Sequence, residues 1–444
     1  MAEVLIILLA AIVFIIVSTS WLKIHPFLSL LVTALGVGLA FGLELKGLVQ
    51  TIASGFGSIL AYIGLVIVLG SMLGEMLEKS GGAQAIAQMI LQGFGRKRPV
   101  LALNLLGAVV GIPVFCDTGF IILSRLSDSI ARAKGVAPQQ LAVGLAAGLY
   151  TSHTLIPPTP GPVAAAGTLG IGDYLGLVIG LGVLVSIPVV LVSNFALTQM
   201  KLWPVQEVVS DARTSDTKAT LSAVRSVFPI LLPIVLIGLG TTVKLSGGTG
   251  LTADVVAFVG NPVVALLLAV IASYFVLQIP STTVFGEMCT AAVKAAGPVL
   301  IITGAGGAFG AVLKASDLAD SLPLLMSDYQ GSGFVLLLLA FGLAALLKTS
   351  QGSSTSAIVI TSSILGPLLM TLGMTDPVTL SLLVLAIGGG AMTVSHANDS
   401  YFWVVNQFGR LTVQDAYRSF SFITLMQGVV TLLSVLALYA LLGT

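Results

Sequence analysis

Apolar runs of about 20 residues, the length that crosses a bilayer as a helix, recur along the chain between short polar segments. Four of the apolar stretches are interrupted by small polar residues, at 99–133, 139–172, 331–371 and 377–408. The pattern predicts an all-α polytopic membrane protein. It also predicts that four of the membrane segments contain a break in the helix.

The composition supports a membrane protein and excludes several other classes. Hydrophobic residues make up 56% of the chain and charged residues 8%, whereas soluble domains are about 25% charged. A net charge of +1 argues against a nucleic-acid partner. The two cysteines form no disulfide framework, and no metal-ligand spacing or nucleotide motif is present, so we expect no cofactor and no metal. The first apolar run lacks a basic leading region and a cleavage site, which favours a retained helix.

The second half of the chain repeats the first. Residues 25–43, HPFLSLLVTALGVGLAFGL, align with residues 261–279, NPVVALLLAVIASYFVLQI, at an offset of 261 − 25 = 236. With small gaps, Ser152 and His153 fall on Ser395 and His396. We interpret the chain as a duplicated fold with a first transmembrane repeat at 1–199, a cytoplasmic linker at 200–226 and a second repeat at 227–444.

The positive charges decide whether 99–133 and 331–371 cross the membrane. If both are re-entrant hairpins, each half has five crossings, and the second half is inverted relative to the first. One side then carries 13 cationic residues and the other carries only Lys46, Lys244 and Lys314; the 13 are Lys23, Lys79, Arg96, Lys97, Arg98, Arg132, Lys134, Lys201, Arg213, Lys218, Arg225, Arg410 and Arg418. The positive-inside rule therefore favours hairpins and places both termini outside the cell.

An inverted repeat with broken helices is typical of secondary transporters, which bind substrate and coupling ion near the middle of the membrane. Unpaired backbone groups are tolerated there only where they line a cavity or a ligand. The breaks read FCDTG (115–119), TSHTLIPPTPGP (151–162), SQGSSTS (350–356) and VSHANDS (394–400). Glycines, hydroxyls and helix N-termini suit an anion. The sequence therefore predicts a transporter, not an enzyme.

The ionisable residues at the breaks are the candidates for ion coupling. Asp117 and Asp399 are intramembrane carboxylates, which are functional by default, although an Asp also caps helices. His153 and His396 can change charge near neutral pH, so they suit a proton relay or a carboxylate contact, with a packing histidine as the alternative. Lys348 lies in a hairpin arm, where it can balance a substrate carboxylate, but we favour snorkelling toward the interface.

Four segments resemble a known family: HTLIPPTPGPVAAAG, QGSSTSA, TGAGGAFGAVL and above all SHANDSYFWVVNQF. They resemble the gluconate permease (gluconate:proton symporter) family of the ion-transporter superfamily, in order and over nearly the whole chain. The resemblance implies a proton-driven inner-membrane symporter of small hydroxylated carboxylates, such as gluconate and related sugar acids, with D-serine transported in one branch. It also implies two re-entrant hairpins and a homodimer.

The resemblance, together with the repeat-related Ser152–His153 pair, implies the residues of the site. Ion or proton coupling falls to Asp117, Asp399 and His396. The substrate-binding residues are Thr118, Gly119, Ser152, His153, Gln351, Gly352, Ser353, Ser354, Thr355, Ser395, His396 and Asn398. Family members carry Glu within the first hairpin, where this chain has Asp117, and His where it has Thr159. The shorter acid and the missing imidazole weaken an assignment to gluconate itself.

Two alternatives remain open at the level of the sequence. Sodium can replace the proton, because hydroxyls and carbonyls at hairpin tips suit a hard cation. An intramembrane enzyme is the remote alternative, since a Ser or Asp near a His supports hydrolysis in other proteins. No nucleophile–base pairing is evident in the sequence, and the duplicated breaks favour transport.

Overall fold

The computed structural model describes residues 2–93, 98–134, 136–200, 221–316, 333–371 and 374–442. Within these ranges the secondary structure is helical and contains no β-strand. Five of the described helices are long and apolar enough to cross a membrane, or up to seven if two bent pairs each form one span. The predicted all-α polytopic membrane fold is confirmed.

The first half contains nine α-helices within the described residues. They are α1 (Ala2–Ser20), α2 (Pro26–Ala40), α3 (Leu45–Lys79), α4 (Gly82–Gly93), α5 (Pro99–Val110), α6 (Cys116–Lys134), α7 (Pro138–Leu155), α8 (Pro160–Thr168) and α9 (Leu175–Gln199). Four of them begin with proline, whose fixed φ suits the first helical position and whose missing N–H is not needed there.

The second half repeats this order with one helix added after its first and without a counterpart of α4 among the described residues. Its helices are α10 (Ala223–Ser246), α11 (Leu251–Val259), α12 (Pro262–Val276), α13 (Thr282–Lys314), α14 (Gly333–Gln351), α15 (Ser354–Thr371), α16 (Pro377–Met392), α17 (Ser400–Phe408) and α18 (Val413–Leu442). The short helix α11 is not predicted. Part of the predicted linker, 223–226, belongs to α10. Most of that linker lies outside the described residues.

Helices α2 and α12 show the duplication residue by residue. Both their first and their last residues differ by 236 positions (262 − 26 and 276 − 40). The preceding residue caps each helix in the same way, because His25 and Asn261 both accept the backbone N–H two residues later. The repeat inferred from the sequence therefore extends to the helix caps.

Helices α3 and α13 show that the second half is inverted. Gly64 packs against Leu300, its counterpart at the same offset (300 − 64 = 236), and Gly55 packs against Gly307. Residue numbers rise along α3 as they fall along α13, so the equivalent helices run antiparallel. A two-fold axis perpendicular to the helices relates such a pair, which is the arrangement of an inverted repeat.

Each half contains one helical hairpin and one broken helix. Residues 111–115 separate α5 from α6, and 352–353 separate α14 from α15; residues 156–159 interrupt α7–α8, and 393–399 interrupt α16–α17. The first break begins at residue 111, upstream of the predicted FCDTG segment. Gly111 and Pro113 end α5 there, so Asp117 lies in the first turn of α6 instead of in the loop.

Candidate functional site

A buried ion pair joins the hairpin of the second half to its broken helix. Lys348 Nζ, near the end of α14, lies 2.5 Å from Asp399 Oδ2 and donates a hydrogen bond of 2.6 Å to Gly352 O. The two side chains are 0% and 5% exposed. The interpretation that Lys348 snorkels is wrong, because a carboxylate partner and a backbone carbonyl hold its ammonium inside the protein.

Both carboxylate oxygens of Asp399 accept hydrogen bonds at the start of α17. Its Oδ2 also accepts a short hydrogen bond from the Ser395 hydroxyl, and its Oδ1 accepts the backbone N–H of Tyr401 at 3.1 Å. The Asp399 N–H in turn donates to His396 O at 2.8 Å. Asp399 is therefore both a helix cap and one half of the ion pair, and its negative charge is balanced within the site.

The end of α7 brings the two hairpins together. His153 lies in the last turn of α7 and is 5% exposed; its Nε2 is 3.5 Å from Thr355 Oγ1, and its ring is 6.0 Å from the ring of Phe115. One turn earlier, the ring of Tyr150 lies 5.7 Å from Lys348 Nζ, which is within cation–π range. Tips of both hairpins thus contact one short segment of helix.

Asp117 is the second carboxylate of the site and differs from Asp399 in its surroundings. It interacts electrostatically with Asp399 and Lys348, and Cys116 Sγ lies 3.9 Å from its Oδ2. Its Oδ1 is buried without a hydrogen-bond partner. Among the described residues no cation forms an ion pair with it. Asp117 is therefore the carboxylate left available for a proton or a ligand.

Several buried polar atoms around the tips lack a hydrogen-bond partner within the described part of the chain. Gln351 Nε2 is an unused donor, Asn398 Oδ1 and Asp117 Oδ1 are unused acceptors, and His153 Nδ1 serves as either according to its tautomer. Each unsatisfied buried group costs about 1–3 kcal/mol. A small ligand that offers both hydroxyl donors and carboxylate acceptors has the chemistry to pair with such atoms. In the described part of the chain, no cluster of three or more His, Cys, Asp or Glu could hold a metal ion.

The other predicted residues of the second half support the break. His396 Nε2 lies 2.9 Å from Thr349 O, and Asn398 Nδ2 donates to the same carbonyl at 2.6 Å. Ser353 is exposed and its hydroxyl accepts the N–H of Ser356 at 3.2 Å, next to Ser354 at the start of α15. The contacts of His396 and Asn398 fasten the break to the α14 side of the hairpin tip, and the contact of Ser353 lies within the start of α15.

The remaining predicted binding residues of the first half lie in α6 and α7. Thr118 and Gly119 lie in the first turn of α6, where Gly119 packs against Leu149. Ser152 is fully buried, and its hydroxyl donates within its own helix to Gly148 O at 3.4 Å. This position favours packing of Ser152 beside the first hairpin over contact with a ligand.

The structure corrects the proposed equivalence of the two histidines. His153 is still helical, whereas His396 lies in the break, because the second break is longer than the first. The capping positions correspond instead: Thr159 precedes α8 and Asp399 precedes α17, each a helix of nine residues. Asp117 likewise corresponds to Thr355, the second residue of the second helix in each hairpin. The first half therefore has an acid in its hairpin and a hydroxyl at the cap of its broken helix, and the second half has the reverse.

Gly352 is a required glycine at the tip of the second hairpin. Its φ is +88°, and a Cβ built on it would lie 2.0 Å from Asn398 O. We expect Gly352→Ala to push the tip away from the break, to destabilise the protein by about 1–3 kcal/mol and to abolish transport. The matched control is Gly342→Ala in α14, where a Cβ meets nothing within 4 Å; thermal unfolding and uptake measured on both variants check the contrast. Normal uptake by Gly352→Ala would contradict it.

Comparisons with known proteins agree with this architecture. The family model described as GntP family permease matches residues 3–442. The D-serine transporter DsdX of Escherichia coli strain K12 is 33% identical over 435 residues, which is 96% of each chain. A gluconate permease of Bacillus subtilis strain 168 is 32% identical over 90% of this chain and 91% of its own. The crystal structure of the YdaH transporter of Alcanivorax borkumensis superposes with a TM-score of 0.70 at 16% identity, covering 95% of this chain and 99% of that one.

Proposed function

The chain belongs to the GntP permease family, and we propose that it imports a small hydroxylated carboxylate, such as gluconate or a related sugar acid, together with a proton. Family membership makes it a multi-pass transporter of small molecules in the inner membrane. One observation carries the finer proposal: among the described residues Asp117 has no ion-pair partner and its buried Oδ1 has no hydrogen bond, whereas Lys348 balances the charge of Asp399.

In this proposal Asp117 carries the proton. A carboxylate without a cation is expensive to enclose in a low-dielectric core, and a second negative charge on the substrate raises that cost. A proton on Asp117 removes one of the two charges, so the loaded site becomes easier to occlude and to open on the other side. Asp399 need not be protonated in this proposal, because Lys348 already balances its charge.

The substrate is held by the second hairpin and the second break. Its carboxylate meets the backbone N–H groups at the start of α15 and the hydroxyls of Ser353, Ser354 and Thr355, since a helix N-terminus favours an anion. Its hydroxyls meet the unused polar atoms of Asn398 and His153.

The described conformation supports access from the cytoplasm. Ser353 and Ala397 at the tip and the break are exposed, and Lys23 Nζ reaches Ser350 O at 3.5 Å. With Lys23 on the cytoplasmic side, as the charge distribution predicts, we propose that this state is inward-facing. The extracytoplasmic termini and the homodimer belong to the same proposal.

A D-serine-type amino acid is the second candidate substrate. The specific observation in its favour is again Asp117, because a carboxylate with no ion-pair partner among the described residues suits the ammonium of a zwitterion. A relative at 33% identity is named a D-serine transporter. Sodium remains the alternative coupling ion.

Uptake into proteoliposomes tests the proposal. Labelled gluconate and labelled D-serine are offered separately, with either a pH gradient or a sodium gradient imposed, and the internal label is then analysed chemically. We expect unchanged gluconate to accumulate with the pH gradient only. Uptake that follows the sodium gradient would refute the proton as the coupling ion. Uptake of D-serine alone would refute a sugar acid as the substrate, and a chemically altered label would refute transport as the whole function.

A further inference from the structure

The backbone of the second break is held by side chains of α18. Thr424 Oγ1 accepts the Ser395 N–H at 2.9 Å, and the Ser421 hydroxyl donates to Ser395 O at 2.5 Å. The hydroxyl of Tyr417 accepts the Ala397 N–H at 3.3 Å. Non-helical backbone inside a membrane protein needs such partners, and here one helix supplies all three.

A π-helical turn in α18 places these side chains on one face. The turn covers Tyr417–Ser421, directly before the helix continues at Phe422. Inside the turn, the buried Ser419 hydroxyl donates to Asp415 O at 2.6 Å and so provides a partner for that carbonyl. Single π turns occur frequently at functional sites, because the extra residue redirects the side chains that follow.

The residue before Ser395 is in a strained conformation. Val394 has a φ of +49°, and a β-branched side chain rarely adopts this left-handed region. Such a conformation persists only where the surroundings impose it. The two hydrogen bonds from α18 fix the residue that follows, Ser395, whose hydroxyl donates to Asp399 Oδ2.

We propose that Ser421 and Thr424 are positioning residues of the transport site. Their hydrogen bonds hold the backbone of Ser395 and keep Val394 at its positive φ; we call this arrangement the clamp. It thereby positions Asp399 to form the ion pair with Lys348. The role deepens the proposed function and rests on it. The hydroxyls of Ser421 and Thr424 bond the backbone of Ser395, and the Thr424 hydroxyl also donates to Ser421 O at 3.0 Å within α18.

The test compares Thr424→Val, which keeps the shape and removes the hydroxyl, with Thr424→Ser, which keeps the hydroxyl. Uptake of labelled gluconate and D-serine is measured in proteoliposomes at matched protein content. Loss of the buried hydrogen bonds is expected to lower the maximal rate about tenfold in Thr424→Val, while Thr424→Ser stays near the wild type. Adding Val394→Gly to Thr424→Val is expected to restore most of the rate, because glycine holds a positive φ without strain.

Hydrogen–deuterium exchange of the Ser395 amide gives a readout that does not depend on transport. Exchange is expected to be faster in Thr424→Val than in wild type or Thr424→Ser. Unchanged exchange in Thr424→Val, an equal loss of rate in both Thr424 variants, or no rescue by Val394→Gly overturns the clamp. A wild type that transports neither probe refutes the proposed function instead. The exchange rate of the Ser395 amide then still tests whether Thr424 holds the backbone of Ser395.

Discussion

Asp117→Asn is expected to uncouple transport from the proton gradient. One coupled proton at a pH difference of one unit supplies about 1.36 kcal/mol, so the wild type accumulates substrate up to about tenfold. Asparagine mimics the protonated acid but releases no proton, and the variant should therefore only equilibrate substrate. Exchange of internal for external substrate should persist. Accumulation ratios and exchange rates, measured in the same proteoliposomes, check both halves of the expectation.

Two further variants complete this experiment. Asp254→Asn changes an exposed acid at the start of α11, far from the breaks in sequence, and should accumulate substrate like the wild type. Asp117→Glu keeps an acid with one more methylene and should retain coupling. Full accumulation by Asp117→Asn would remove Asp117 from the proton path and leave it as a polar residue of the first turn of α6.

Lys348→Met is expected to destabilise the protein more than any surface substitution. It leaves Asp399 charged and buried without its cation, which costs about 3–5 kcal/mol for a buried pair. The same change frees Gly352 O and loosens the tip of the second hairpin. We therefore expect a large fall in the unfolding temperature in detergent, together with loss of uptake.

The double variant Lys348→Met/Asp399→Asn separates charge from packing. Removal of both charges is expected to recover most of the stability, because the unpaired charge disappears, but not the transport rate. Lys244→Met is the matched control, since it breaks the exposed pair with Asp173, whose side chains are 42% and 56% exposed. That change should cost at most about 1 kcal/mol. A double variant as unstable as Lys348→Met would show that the pair is not the source of the effect.

The helices and the duplication were predictable because both depend on the pattern of apolar residues. Prolines at helix starts, such as Pro26 and Pro262, and the constant offset around them define the repeat without any tertiary information. The positions of the breaks were predictable to within a few residues. The first began earlier than expected, because Gly111 and Pro113 end α5 before the acidic residue.

The pairing of the charges was not predictable from the sequence. Lys348 and Asp399 lie far apart along the chain, and nothing local distinguishes a lysine that snorkels from one that reaches a carboxylate on another helix. A signal was nevertheless present, since Lys348 lies one turn before the Gly352 tip and not at the outer end of its hairpin arm. The support from Ser421 and Thr424 likewise depends on a π turn that hydrophobic periodicity does not reveal.

The central claim is that substrate and proton cross together through the site containing Asp117. Its most direct test records the internal pH of proteoliposomes with a trapped dye when gluconate is added, with no gradient imposed beforehand. The account predicts internal acidification that keeps pace with gluconate entry in the wild type, and no substrate-dependent acidification in Asp117→Asn. Gluconate entry by the wild type at constant internal pH would contradict the claim.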